Sequence, residues 1–145
     1  MDQKVINFLT KHRVGALTVV NINGTPHAAV VHYAHTTDPL RIYILTEKSS
    51  KKAQGLLLGE TQRAAFVVGF SEEEWVTFQA EGNIKMVLGE KALQDAQAIY
   101  YLKFPNAKHI TTNSNLILLE FTTTWWRYSN LNPSPWEVIA SHQEQ

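Results

Sequence analysis

Two hydroxyl groups and two ammonium groups stand together where an apolar segment ends. The stretch "RIYILTEKSSKKAQGLLLG", residues 41–59, starts as a buried strand that ends at Thr46 and continues with Ser49–Lys52 and helix-forming residues. A helix that begins near Ser49 would point its free N–H groups and its positive dipole end at these side chains. The pattern predicts a phosphate-sized anion site at this junction.

A simpler interpretation of the same residues stays open. Ser49 or Ser50 alone could cap the predicted helix, with the lysine side chains in solvent. Lysines in the first turn of a helix oppose its dipole, which favours a bound counter-anion.

No constellation for side-chain catalysis or metal binding accompanies this junction. The sequence contains no G-x-S-x-G, P-loop or G-x-G-x-x-G motif, so no catalytic residue is predicted. If residues 26–35 form one strand, His27 and His35 share a face but lie about eight rises of ~3.3 Å apart, while His32 points the other way. We therefore predict no metal site.

Composition limits the possible partners. The chain has 145 residues, 44% of them hydrophobic and 18% charged, with a formal net charge of zero and no cysteine. These values predict a globular chain, one domain over residues 1–145, with an irregular tail from about residue 131. A neutral chain without a long apolar segment predicts no nucleic-acid partner, no membrane association and a cytoplasmic location.

The elements that must position the junction are mostly strands. Apolar spacing predicts a small lid-like helix near the N-terminus and a longer helix over residues 90–104, and Asn23-Gly24 predicts a hairpin turn. The acidic run of residues 72–74 is interpreted as a solvated turn. Six β-rich runs are predicted as strands: "ALTVVN", "TPHAAVVHYAH", "RIYILT", "RAAFVVGF", "WVTFQAEGNIKMV" and "NLILLEFTTTWWRYSN". Six strands with few helices predict a mainly β fold, a β-barrel with flanking helices.

The order "PHAAVVHY", "YILTEKSSKKA" and "FQAEGNIKMV" resembles the FMN-binding split β-barrel superfamily of pyridoxamine 5'-phosphate oxidase-like proteins. The resemblance covers roughly residues 5–130 and implies a six-stranded antiparallel split barrel that binds FMN. It implies a homodimer with the flavin at the subunit interface, and it places a bend at Glu81 and Gly82. The implied phosphate ligands are Thr46, Ser50, Lys51 and Lys52. The residues implied to lie along or near the flavin ring are Ala28, Ala29, Val30, Val31 and Leu45.

The chain also departs from the family pattern. The arginine that usually opens the ring-contacting strand is missing around Ala28, and the late Arg-x-His and Arg-Leu-x-Pro motifs of the vitamin B6 enzymes are absent. Vitamin B6 synthesis is therefore not predicted. Trp125 and Trp126 would face opposite ways on a strand, so one is assigned to packing and Trp126 is offered as a cover for the flat ring.

Three functional hypotheses remain. The first is an FMN-dependent oxidoreductase of unknown substrate, in which the flavin carries the redox chemistry. The second is a non-catalytic flavin- or haem-binding module, for which His32, His35 or His109 could be axial ligands of a haem. The third is a split barrel that has lost its cofactor.

Overall fold

The computed structural model describes residues 1–109 and 114–141, and strands are their most abundant secondary structure. Two α-helices are present, α1 (Gln3–Lys11) and α2 (Glu90–Lys103), together with short 3₁₀ segments at Gln54–Leu56 and Pro105–His109. The strands are β1 (Val14–Val20), β2 (Pro26–His32), β3 (Ala34–Thr37), β4 (Leu40–Glu47), β5 (Gln62–Val68), β6 (Val76–Met86), β7 (Leu116–Asn130) and β8 (Glu137–Ala140).

The strands form one curled antiparallel sheet. Its order is β2-β1-β5-β6-β7-β4-β3, and β8 pairs with the end of β7. Strands β2 and β3 lie at opposite edges of this path, yet only Tyr33 separates them along the chain. Because one residue spans only a few ångströms, the two edges must lie close together, so the sheet closes on itself. The predicted mainly β barrel with flanking helices is confirmed.

Eight strands are present among the described residues, where six were predicted. The predicted strand over residues 25–35 divides at Tyr33, whose buried ring contacts Phe66 with 5.1 Å between the ring centroids. The tail predicted to be irregular from about residue 131 contains β8, which pairs with Arg127–Asn130. The edge of the long strand β7 supplies hydrogen-bond partners that the composition of the tail does not reveal.

Large side chains fill the interior of the barrel. Leu17, Ile42, Phe66, Phe78 and Phe121 are all fully buried in one continuous core cluster. A small barrel packed in this way leaves no internal space for a flavin or a haem. Ligands of that size must therefore bind on the outside of the barrel.

The two helices pack on this barrel, and the sequence placed both of them correctly. Helix α1 is capped by the Asp2 side chain, which accepts a hydrogen bond from Lys4 N at 2.8 Å. Three residues of α1 are buried in the core, so it is a structural helix rather than the predicted lid: Val5, Phe8 and Leu9. Helix α2 ends before Pro105, as predicted, and covers a second apolar cluster around Tyr43 and Leu118. No described helix is long and apolar enough to cross a membrane.

Two glycines shape the strands at positions that the sequence indicated. The β1–β2 hairpin turns at Asn23-Gly24 as predicted, although only Gly24 has a positive φ, of 81°. The pairing of β6 with β7 shifts between Glu81 and Gly82, which is the predicted bend. A Cβ atom on Gly82 would lie 2.0 Å from the carbonyl oxygen of Thr122. Only glycine allows the two strands to approach this closely.

Candidate functional site

The segment after β4 is a series of tight turns rather than the predicted helix. Every third backbone N–H group donates three residues back, four times in all, from Ser50 N to Glu47 O at 3.1 Å through Gly59 N to Leu56 O at 3.1 Å. Ala53 and Leu56 are fully buried and attach the turns to the core. A Cβ atom on Gly55 would lie 2.0 Å from the Nε2 atom of Gln62 on β5, so the turns pack closely on the sheet and tertiary contacts override the local helix preference. No helix dipole therefore acts at this junction.

Hydroxyl and amide groups still converge at the junction. Thr46 is buried, and its Oγ1 lies 3.1 Å from the Oγ of Ser50. The backbone N–H groups of Lys51 and Lys52 donate to no backbone carbonyl in the part of the chain that the structure describes. The turn therefore provides two hydroxyls and two uncommitted amides within a few residues, which is a donor set suited to phosphate oxygens.

Lys52 and Lys51 differ in their surroundings. Lys52 is half-buried, and burial lowers the pKa of its ammonium group although the charge of Glu47 opposes this change. Lys51 is exposed and lines a cavity beside the β1–β2 turn with Asn21 and Gln54. Neither ammonium has a carboxylate within 4.0 Å among the described residues. Of these two lysines, Lys52 would therefore be stabilised more by a bound anion.

A cavity of about 460 Å³ opens between the end of β4 and the end of α2, and we call it the α2 cavity. Leu45 and Thr46 of the predicted site line it, together with His32 from β2. Arg13 also lines it, and its guanidinium carbon lies 4.5 Å from the centroid of the Phe104 ring. Sequence reasoning missed Arg13 because it lies in the link between α1 and β1, outside every motif. Its proximity to Thr46 arises only from the closure of the barrel.

The four predicted residues of β2 divide between the two faces of the strand. Ala28 and Val30 are exposed, and 73% of the Val30 surface is accessible. Ala29 is half-buried and Val31 is buried on the opposite face. Among the described residues β2 is an edge strand that pairs only with β1, so the backbone groups on its outer edge lie outside the hydrogen-bond ladder of the sheet. Only Ala28 and Val30 can present side chains to a ring outside the barrel.

Trp126 is placed with the barrel wall. Its ring stacks on Phe78, with 6.1 Å between centroids and an angle of 24° between planes, and it packs against the core cluster. It lines neither the α2 cavity nor the cavity beside Lys51. The structure therefore does not bring Trp126 together with the phosphate junction within this subunit.

The histidines lie apart, and no group of three metal-ligating side chains occurs within residues 1–109 and 114–141. His32 contacts the Phe104 ring edge-to-face with 5.4 Å between centroids. His35 lies on β3, beyond the break at Tyr33, and its ring centroid is 6.3 Å from that of the Tyr33 ring. The acidic run is not merely a solvated turn, because Glu74 pairs with Lys11 and lies 2.8 Å from His12 Nε2.

Solved structures of several bacterial proteins share this fold. A conserved hypothetical protein from Mycobacterium tuberculosis has 18% identity and a TM-score of 0.70, with 100% of this chain and 92% of that chain covered. A pyridoxamine 5'-phosphate oxidase-related, FMN binding protein from Nostoc punctiforme has 15% identity and a TM-score of 0.70, covering 99% and 91%. A heme binding protein from Mycobacterium smegmatis has 15% identity and a TM-score of 0.69, covering 91% and 54%. At these identities the likeness shows the fold alone.

The sequence itself carries the family assignment. No curated protein sequence matches the chain. The sequence model of the pyridoxamine 5'-phosphate oxidase family matches residues 1–130, which is most of its length. The chain therefore belongs to the pyridoxamine 5'-phosphate oxidase family.

Proposed function

We propose that this chain binds FMN and acts as a flavin-dependent oxidoreductase. The observation that carries the proposal is the junction after β4, where the Thr46–Ser50 hydroxyl pair is followed in the chain by half-buried Lys52, which forms no ion pair among the described residues. A phosphate there would accept hydrogen bonds from the hydroxyl of the pair that does not donate to the other, and from the amides of Lys51 and Lys52. It would also add a negative charge near the half-buried ammonium of Lys52, on which only Glu47 is seen to act among the described residues.

The flavin ring is proposed to lie outside β2. Ala28 and Val30 form a small apolar surface there, Leu45 lies nearby at the rim of the α2 cavity, and the unpaired edge of β2 offers hydrogen bonds to the polar edge of the ring. An exposed valine at this place favours a partner surface over water. We propose a homodimer in which the second subunit covers the other face of the ring, and Trp126 is a candidate for that contact across the interface.

Bound FMN would supply hydride or electron transfer. The side chains of this protein would bind the phosphate, orient the ring and exclude water, and none of them needs to act as an acid or a base. We further propose a single domain over residues 1–145 and a cytoplasmic location.

The direct test is the visible absorption spectrum of the purified protein, with the mass of any released ligand. We expect flavin bands and the mass of FMN, and oxidation of NADH or NADPH by the loaded protein would establish turnover. A colourless protein that takes up no added FMN would overturn the proposal. Analytical ultracentrifugation of the loaded protein tests the homodimer.

Haem is the second candidate ligand, and His32 is the residue that favours it. His32 is exposed at the wall of the α2 cavity, where Phe104 and Tyr100 could contact a planar macrocycle. Exposed His109 lies in the 3₁₀ segment that follows α2. A Soret band that is lost in the variant His32→Ala would support haem binding and would count against FMN.

A further inference from the structure

A second cavity lies between α1, β3 and α2, and we call it the helix cavity. Its volume is about 400 Å³, and it shares no lining residue with the α2 cavity among the described residues. Its apolar wall comes from Ile6, Ala34, Ile99 and Leu102. This volume suits a small organic molecule rather than a flavin together with its phosphate chain.

One fixed cation lines the helix cavity. The Nζ atom of Lys103 donates to the carbonyl oxygens of Leu9 at 3.0 Å and of His12 at 2.5 Å, at the C-terminal end of α1. It also lies 4.1 Å from the centroid of the Tyr33 ring. An ammonium group has three N–H donors, so one remains for the ring face or for a ligand. The helix end thus holds the charge in a defined position.

No described residue that lines the helix cavity carries a carboxylate to balance this charge. Burial, followed by the charge of Arg13, lowers the pKa of Lys103 to about 8. Burial, followed by the charge of Lys103, lowers the pKa of His35 to about 4. The titratable groups facing Lys103 are therefore His35, Tyr33 and Arg13, and none of them is an acid that is ionised at neutral pH.

His35 adds an unsatisfied polar atom at the same place. Its Nδ1 is buried and has no hydrogen-bond partner within the described part of the chain. Two other polar side chains of the cavity are already engaged: Thr10 donates to Ile6 O at 2.8 Å, and Thr36 donates to Pro39 O at 2.7 Å, while Thr37 also lines the wall. A ligand oxygen could accept from the Nδ1–H tautomer of His35 and from Lys103 together.

We propose that the helix cavity binds a small amphipathic monocarboxylate, with its carboxylate at Lys103 and His35 and its apolar part along Ile6, Ile99 and Leu102. A neutral ligand would bring no negative charge to this cation, and a cationic ligand would be repelled by it. The proposal does not depend on flavin binding, because the two cavities have separate walls.

The test is calorimetric titration of the purified protein with octanoate, with octanol and octylamine as the neutral and cationic analogues. We expect octanoate to bind at least about tenfold more tightly than octanol, and octylamine not to bind. Carbon-13 NMR of the Lys103 side chain should show its pKa rising when octanoate binds.

Two pairs of variants make the test specific. Leu102 is 87% exposed, so Leu102→Asp and Leu102→Asn should both fold. Leu102→Asp should weaken octanoate binding about tenfold through charge repulsion, and Leu102→Asn should leave it within about twofold. Lys103→Met should reduce octanoate affinity to that of octanol, and Ile99→Trp should fill the cavity and reduce binding of both.

Three results would overturn the proposal. They are equal affinity for octanoate and octanol, no detectable octanoate binding at millimolar concentration, and dissociation of a dimer by Leu102→Asp. The last result would mean that a second copy of the chain covers the cavity.

Discussion

Replacing Lys52 by methionine should change FMN affinity and protein stability separately. The half-buried ammonium has no carboxylate partner within the described residues, and its burial lowers its pKa. Removing the charge therefore removes a desolvation cost, so the free energy of unfolding of the flavin-free protein should fall by no more than about 0.5 kcal/mol. Loss of a charge-assisted hydrogen bond to phosphate should cost about 1.5–3 kcal/mol of FMN binding, or about 10- to 150-fold in Kd.

The assay is a flavin-fluorescence titration with FMN and with riboflavin, which lacks the phosphate. Lys52→Met should weaken FMN binding and leave riboflavin binding unchanged. Lys48→Met is a matched control, because Lys48 is exposed in the same segment and outside the predicted phosphate set. Ser50→Ala should show the same selectivity with a smaller effect, since it removes a neutral donor. Unchanged FMN affinity in Lys52→Met, or an equal loss of riboflavin affinity, would refute the phosphate assignment.

Three further predictions concern stability, measured by urea denaturation. Gly82→Ala should lower the free energy of unfolding by about 2–4 kcal/mol, because the new Cβ would lie 2.0 Å from the carbonyl oxygen of Thr122. Gly24→Ala is the control: its Cβ would meet open space but its φ is positive, so it should cost about 1 kcal/mol. Tyr33→Phe removes the 2.8 Å hydrogen bond to Leu9 O and should lower the free energy of unfolding by only about 1 kcal/mol, because Lys103 still donates to that carbonyl. An unchanged free energy of unfolding would mean that this hydrogen bond contributes nothing. Burial lowers the pKa of His35 from 6.5 to about 4, so between these pH values the unfolded chain binds more protons than the folded chain. The free energy of unfolding should therefore fall by about 2–3 kcal/mol as the pH is lowered from 6.5 to 4. The variant His35→Gln should lack this loss.

Local pattern was sufficient where one segment decides its own structure. The β1–β2 turn, the ends of α2 and the bend at Gly82 were predicted because glycine, proline and apolar spacing act over a few residues. The motif order also indicated the family, because the strand-turn junction and the "EG" strand occur within short stretches of sequence.

Contacts between distant segments decided the remainder. The residues after Ser49 have helical preference, yet they fold into turns that bury Ala53 and Leu56 and bring Gly55 against Gln62. Strand β8 forms because β7 is long enough to leave a free edge for the tail. Neither outcome could be predicted locally, since each depends on a surface supplied by another part of the chain.

The sequence by itself determined the strand-rich fold, the family and the chemical types at the junction, because periodicity and residue type are local properties. Only the tertiary structure decided that Lys52 is half-buried, that Arg13 reaches the cavity beside Thr46, and that Lys103 caps α1 next to His35. The physical reason is closure of the barrel. It brings together side chains far apart in the chain and sets the burial that shifts their pKa values.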